Sequence, residues 1–314
     1  MSLRETTDKD FRSGFVALIG RPNVGKSTLV NQLVGKKVSI TSPVAQTTRN
    51  RLKAILTTAK AQMVFVDTPG IHKPHHLLGE RLVKSARRTL GEVDIVVLIF
   101  EGCHSPGRGD LFLVKLLESQ KTPVLVVLNK WDLVVIDQYE ERKSEYQELF
   151  EHTDWPIFCC SAITGKGFDA FLNSISSYLP VGPHLYPPEI VSDQPEKILL
   201  SELIREQVLI HTREEIPHSV AVTIDRLEEI PLVNKNQPKK MQTAVLATIL
   251  VERKSQKGIL IGKGGSMLKK IGQGARLQMK NLIEGPLYLE LFVKVVPDWR
   301  SKPARLSELG YEGN

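Results

Sequence analysis

Apolar positions in the first half of the chain fall into short, nearly unbroken runs, separated by longer stretches where they recur every three or four residues. The runs are 15–20, 62–67, 94–100, 123–129 and 156–161, rich in Val, Ile, Leu and Phe. Runs that are apolar at consecutive positions predict strands buried on both faces, as in a parallel sheet. The stretches between them, 26–34, 77–90, 110–119, 139–151 and 168–178, carry helical spacing. Residues 50–58 read as an additional strand. This alternation predicts a doubly wound α/β domain with a mostly parallel sheet over residues 1–180.

The pattern then breaks. Pro180, Pro183, Pro187, Pro188 and Pro195 lie within eighteen residues, a density that neither helix nor central strand tolerates, so 181–196 is expected to be a semi-rigid linker. Beyond it, 197–212 has helical spacing, and 220–227 and 243–251 are strand-like. An apolar run at 258–261 enters a glycine turn, a helix follows from about 266 to 282, and 287–296 is a last strand. Residues 197–314 are therefore expected to form a small α+β domain with a C-terminal tail, unrelated by repeat to the first.

Composition narrows the class. The 314 residues are 41% hydrophobic and 25% charged, ordinary for a globular protein and unlike a disordered or collagen-like chain. Three cysteines, two of them the neighbours Cys159 and Cys160, argue against a disulfide scaffold and for a reducing compartment. No apolar run approaches the roughly 20 residues needed to span a bilayer, and residues 1–13 lack a signal-peptide core. The expectation is cytoplasmic. The formal charge of +7 is unevenly placed: between Lys235 and Lys280 eleven basic residues face one acidic residue, Glu252. Such a block reads either as a footprint for a polyanion or as a solvated basic face.

Gly20-Arg21-Pro22-Asn23-Val24-Gly25-Lys26-Ser27 matches G-x-x-x-x-G-K-[ST] between a predicted strand and a predicted helix. Glycines let the backbone curl until its N–H groups point at a phosphate, and the helix N-terminus behind adds partial positive charge. Lys26 can reach the β- and γ-phosphates, the Ser27 hydroxyl can ligate Mg²⁺, and Thr28 completes the nucleotide-binding loop. Asp67-Thr68-Pro69-Gly70 ends the next strand, where a carboxylate can hold a water on Mg²⁺ and the Gly70 N–H can meet a γ-phosphate. Asn129-Lys130-Trp131-Asp132 ends another. The Asp132 carboxylate suits the paired N–H donors of guanine and would be left unpaired by adenine. Asn129 can bridge base and phosphate loop, and the Lys130 stem can lie over the ring. Ser161-Ala162-Ile163 ends the last strand, where the Ala162 N–H can meet guanine O6. Any one of these short motifs alone is as readily a polar strand cap; their order at successive strand ends is what points to a nucleotide.

These boxes resemble those of translation-factor-type P-loop GTPases. By that resemblance Gln46-Thr47-Thr48-Arg49 is the first switch, and Thr48 binds Mg²⁺ and senses the γ-phosphate. Where Ras-like enzymes carry a water-orienting glutamine, this chain has Ile71, so slow intrinsic hydrolysis, or another group, is expected. Asparagine at the Asn23 position resembles phosphate loops that recruit K⁺; a loop-stabilising asparagine is the alternative. Lys26, Thr48 and Asn23 are the candidate catalytic residues, and Ser27, Thr48 and, through water, Asp67 the candidate metal ligands.

Ile261-Gly262-Lys263-Gly264-Gly265 lies within the basic block. G-x-x-G before an amphipathic helix resembles the KH loop, where backbone approaches the phosphates of about four nucleotides. Lys263, Lys269 and Lys270 would supply charge, and Leu260, Ile261, Leu268 and Ile271 a groove for bases. The whole chain, from about residue 12 to 300, is similar to the bacterial Era GTPases, a P-loop GTPase domain followed by a type II KH domain. The segment from Arg205-Glu206-Gln207 through Arg213-Glu214-Glu215-Ile216-Pro217-His218-Ser219-Val220 carries that likeness into the second domain. The ligands expected are GTP and GDP, and the chain is expected to be a monomer. The resemblance implies binding near the 3′ end of 16S ribosomal RNA, a role in 30S subunit assembly, and partial association with the inner face of the cell membrane. A nucleotide-gated scaffold with incidental hydrolysis, and a membrane-recruited signalling GTPase, are the competing readings.

Other features carry less. His72, His75 and His76 read as solvated loop histidines rather than a metal site. Trp131 and Trp155 read as packing residues. Trp299-Arg300 could contact RNA or close the domain.

Overall fold

The computed structural model describes residues 10–44, 47–49, 51–68, 84, 88–118, 120–232 and 241–311. Six strands, β1 (Arg12–Gly20), β2 (Leu52–Thr57), β3 (Ala61–Asp67), β4 (Ile95–Glu101), β5 (Val124–Asn129) and β6 (Ile157–Cys159), form one sheet in the order β2-β3-β1-β4-β5-β6. All pairs are parallel except β2 with β3. The apolar runs are continuous because both faces are covered. Val16 and Leu18 face one core, with Leu29 and Val30 of α1 (Lys26–Val34) and Phe171 and Ile175 of α4 (Phe168–Tyr178). Ala17 and Ile19 face the other, with Leu113 and Leu117 of α2 (Arg108–Leu117) and Tyr146 of α3 (Tyr139–Leu149). The chain leaves β1 toward β3 and returns on the other side to β4. That reversal puts the crevice at the carboxyl end of β1, where open α/β sheets bind ligands.

The proline-rich stretch is fastened rather than free. Ile55 N–H donates to the Val191 carbonyl at 2.9 Å, and Ala54 pairs with Ser192 in an antiparallel bridge. Gln62 Oε1 accepts from the N–H groups of Leu185 (2.7 Å) and Tyr186 (2.9 Å). The stretch thereby covers the open edge of β2, a backbone row that would otherwise remain unpaired.

The second sheet, β7 (Ala221–Pro231), β8 (Met241–Val251) and β9 (Leu287–Val295), is antiparallel between β7 and β8 and parallel between β8 and β9. One face packs on α5 (Glu196–His211) and on α7 (Lys254–Ile261) and α8 (Ser266–Met279) through Leu200, Leu203, Val245, Ile249, Leu260, Ile271 and Met279. A four-residue helix, α6 (Ile216–Ser219), joins α5 to β7. Helix α7 corrects the sequence reading, which took residues 258–261 as an apolar run entering a turn. Its first turn is polar, and its N-terminus is tied by the Gln256 side chain, which accepts from the Glu252 and Arg253 N–H groups at 2.9 Å each. On the opposite face, Trp299 packs with Leu250, Leu306 and Tyr311, and its indole N–H donates to the Ser219 carbonyl at 2.9 Å. Trp299 is fully buried and closes the domain, together with α9 (Pro303–Glu308).

Candidate functional site

The loop after β1 curls around Lys26. Gly25 adopts φ +98°, and a Cβ there would lie 2.2 Å from Asn129 Nδ2, so only glycine lets the loop approach β5. Lys26 Nζ donates to the carbonyls of Gly20 (3.1 Å) and Arg21 (2.9 Å). Burial brings its pKa down to about 8, against the opposing pull of the Asp67 carboxylate. Arg21 turns away and pairs with Asp110 at 2.9 Å. Asn23 Nδ2 donates to the Pro43 carbonyl at 2.7 Å, tying the phosphate loop to the segment that leads to Thr48.

Three hydroxyls converge on one carboxylate. Asp67 Oδ2 accepts from Ser27 Oγ (3.0 Å), Ser39 Oγ (3.1 Å) and Thr48 Oγ1 (3.2 Å), and Ser27 Oγ lies 3.0 Å from Thr48 Oγ1. Ser39 is an addition to the residues read from the sequence; only its place in the fold could have marked it. Asp67 is buried, which raises its pKa against the lowering effect of Lys26, and its Oδ1 has no hydrogen-bond partner among the described residues. The donor set is all oxygen, as a hard divalent cation requires, and includes a buried oxygen still able to bind. Ser27, Thr48 and Asp67 therefore fit Mg²⁺.

Asn129 joins two loops: Nδ2 donates to the Val24 carbonyl at 2.8 Å and Oδ1 accepts from the Ala162 N–H at 2.9 Å. The Ala162 N–H, the group expected to meet guanine O6, donates here to Asn129 Oδ1. Lys130, at φ 61°, pairs with Glu101. Asp132 and Ile163 are exposed, and Ser161 is buried, accepting from Thr164 N–H at 3.2 Å. Thr68 is buried and donates to the Leu18 carbonyl at 2.8 Å. Gln46, Pro69, Gly70, Ile71 and the histidines 72, 75 and 76 lie outside the described residues, as does most of the helix expected over 77–90. Glu101, Cys103 and His104 carry possible ligand atoms within 4.8 Å of one another. The Lys130 ammonium already sits on that Glu101 carboxylate, where it opposes a metal.

A cavity of about 600 Å³ opens over this loop, lined by Pro22, Asn23, Gly25, Lys26, Ser27, Thr28, Thr48 and Lys130. It is of the size that takes a small-molecule ligand. Ile210 of α5 also lines it, a contribution of the second domain.

In the second domain, a 3₁₀ turn at Lys263–Gly265 separates α7 from α8. Gly264 has φ +59°, and a Cβ there would meet nothing within 4 Å, so the backbone stands open to a ligand. Lys263, Lys269 and Lys270 are exposed. A groove of about 360 Å³ runs along α8 to β9, lined by Gly265, Leu268, Lys269, Gly272, Gln273, Arg276, Leu289, Glu290 and Leu291. The groove expected from Leu260, Ile261, Leu268 and Ile271 is corrected in part. Leu260 and Ile271 are fully buried in the core and Ile261 packs against it, so β9 supplies the apolar floor beside Leu268.

Residues 15–130 match the family model described as 50S ribosome-binding GTPase, and residues 215–300 match a KH domain. The chain is 55% identical to GTPase Era of Nostoc sp. over 96% of its own length and 90% of that protein. It is 48% identical to GTPase Era of Heliobacterium modesticaldum over 96% and 97%. Among solved structures, that of Era in complex with MgGDPNP and nucleotides 1506–1542 of 16S ribosomal RNA superposes with a TM-score of 0.89 at 36% identity, covering 96% of this chain and 99% of that one. A single-residue variant of Aquifex aeolicus Era bound to GDP·AlF4⁻ matches equally, at 0.89 and 36% over the same shares of the two chains.

Proposed function

We propose that this chain, which belongs to the Era GTPase family of GTP-hydrolysing P-loop enzymes, couples a nucleotide switch in residues 1–180 to an RNA-binding unit in residues 197–314. The observation that carries the reading is the convergence of Ser27, Thr48 and Asp67 beside the buried Lys26. The loop from Gly20 to Thr28 surrounds the phosphates with N–H groups, and Lys26 meets the negative charge on the β- and γ-oxygens. Bound Mg²⁺ supplies Lewis-acid neutralisation of that charge. Thr48 and Gly70 sense the γ-phosphate. Asn129 holds the base loop against the phosphate loop, Lys130 covers the ring, and Asp132 selects guanine. Asn23 Nδ2 is engaged with Pro43, so its Oδ1 is the atom that could ligate K⁺.

The RNA runs past Gly262-Lys263-Gly264-Gly265, with Lys263, Lys269 and Lys270 meeting phosphates and the groove between α8 and β9 taking bases. The RNA class follows from the likeness to Era held on the 3′ end of 16S rRNA, and the proposed partner is the 30S subunit, acted on by a monomer during its maturation. Peripheral contact with the inner face of the cell membrane draws support from the resemblance alone; no helix among the described residues is long and apolar enough to cross a bilayer. Calorimetry with GTP, ATP and XTP tests the nucleotide site: equal affinities would refute the role of Asp132. Single-turnover hydrolysis in K⁺ and Na⁺ tests Asn23, and equal rates would remove K⁺.

A further inference from the structure

The loop that carries Thr48 is held largely from the second domain. Thr41 N–H donates to Glu206 Oε1 at 2.7 Å, and Lys37 Nζ reaches both Glu206 oxygens at 2.8 and 2.6 Å. Arg205 donates to the Thr47 carbonyl, while Glu202 holds its guanidinium at 2.8 and 2.5 Å. Arg49 crosses the other way, donating to the carbonyls of Val220 (2.5 Å), Pro217 (3.2 Å) and His218 (3.3 Å), with Trp299 and Tyr311 rings 5.9 Å from its centre. Ile40 is buried in the core of the second domain. Residues on both sides of Thr48 therefore belong, by contact, to the KH unit.

Glu206 is the junction. It is 1% exposed, and beyond Thr41 and Lys37 it accepts from Gln278 Nε2 at 2.6 Å. Gln278 lies on α8, the helix that opens with the glycine turn. A buried carboxylate held by donors from three residues cannot lose one without leaving charge underpaired. Its contacts with the first domain and with α8 are therefore held or altered together.

We infer that Glu206 is a positioning residue for the nucleotide site: it holds the Thr41–Thr48 loop where Thr48 meets Ser27 and Asp67, and through Gln278 it links that position to α8. This deepens the proposed function and rests on Thr48 as the γ-phosphate sensor. Because Thr48 stands beside Ser27 and Asp67 while the clamp is closed, the clamp favours the triphosphate state. Linkage then requires RNA that favours the same clamp to raise triphosphate affinity by the same factor that the triphosphate raises RNA affinity.

The test uses the full chain, fluorescent GDPNP and GDP with Mg²⁺, and an RNA of nucleotides 1506–1542 of 16S rRNA, the fragment held by the solved Era structure. The wild type should prefer GDPNP more with RNA than without, by about fivefold or more. Glu206→Gln keeps the shape and removes the charge. It should cut the RNA effect to about twofold or less and weaken GDPNP more than GDP. Lys37→Met attacks the same pair from the first domain, on a side chain 35% exposed, and should act non-additively with Glu206→Gln. Gln278→Leu leaves the same carboxylate underpaired and should lower both the RNA effect and GDPNP-over-GDP selectivity, each less than Glu206→Gln does. Folded variants that retain the full RNA effect would overturn the inference. A Thr48→Ala variant that keeps wild-type selectivity would instead overturn the sensor reading beneath it, whatever Glu206 does.

Discussion

Lys26 makes nucleotide affinity depend on pH in a direction that its burial dictates. With the phosphate loop free, desolvation holds the ammonium near pKa 8 instead of 10.5. Phosphate oxygens around the same nitrogen favour its charged form and return the pKa toward the ordinary lysine range. Binding therefore takes up a proton: about half per nucleotide at pH 8, nearly none at pH 7. Fully expressed, the difference of about 2.5 pK units corresponds to roughly 3 kcal/mol. Between about pH 7 and 8.3, where guanine N1 stays largely protonated, affinity should fall about threefold. Isothermal calorimetry in buffers of different ionisation enthalpy reads both affinity and proton uptake. Lys26→Arg removes the titration and should flatten the profile. A flat wild-type profile, or the same slope in Lys26→Arg, would refute the reasoning. The sign has a counterpart in stability. The unfolded chain holds this proton up to about pH 10.5. Between pH 8 and 10.5 it binds more protons than the folded, nucleotide-free form, and Lys26 makes that form more stable as pH rises through the window.

Gly25→Ala places a methyl where Asn129 Nδ2 sits and adds a left-handed residue. Loss of the Asn129 bridge should weaken guanine nucleotides about 100-fold or more, roughly 3 kcal/mol, by fluorescent-nucleotide titration; less than about threefold would contradict the geometry. Gly264→Asp should abolish binding of the 16S fragment while leaving GTP hydrolysis without RNA unchanged. Space is open at that position and aspartate tolerates its φ, so RNA binding that survives would remove the glycine turn from the RNA path. Trp299→Ala should destabilise the second domain by about 3–5 kcal/mol in denaturant unfolding, since the indole is fully buried and its N–H holds Ser219. A loss under about 1 kcal/mol would show that it does not close the domain.

The core sheet was legible because burial on both faces demands apolar residues at consecutive positions, which only a covered parallel sheet explains. The glycine loop around Lys26, Asp67 and Asn129, which the fold brings together, were legible because each lies at the end of such a run, with little chain between side chain and strand. Helix α7 was not: lysines and glutamine occupy its first turn, and its apolar residues cluster at 259–261, short of a full helical period. The groove beside α8 was given a floor that the fold does not supply, since spacing along α8 cannot tell that β9 lies beside Leu268 while Leu260 and Ile271 turn inward. Arg205-Glu206-Gln207 stood in the sequence as a likeness without a task. Its task depends on Lys37, Thr41 and Thr47, about 160 residues earlier. Local sequence determines which segments become strands, helices and phosphate-gripping turns, because those depend on near neighbours. The docking of the two units is settled by buried charges that find partners only once both have folded, and so only the tertiary structure decides it.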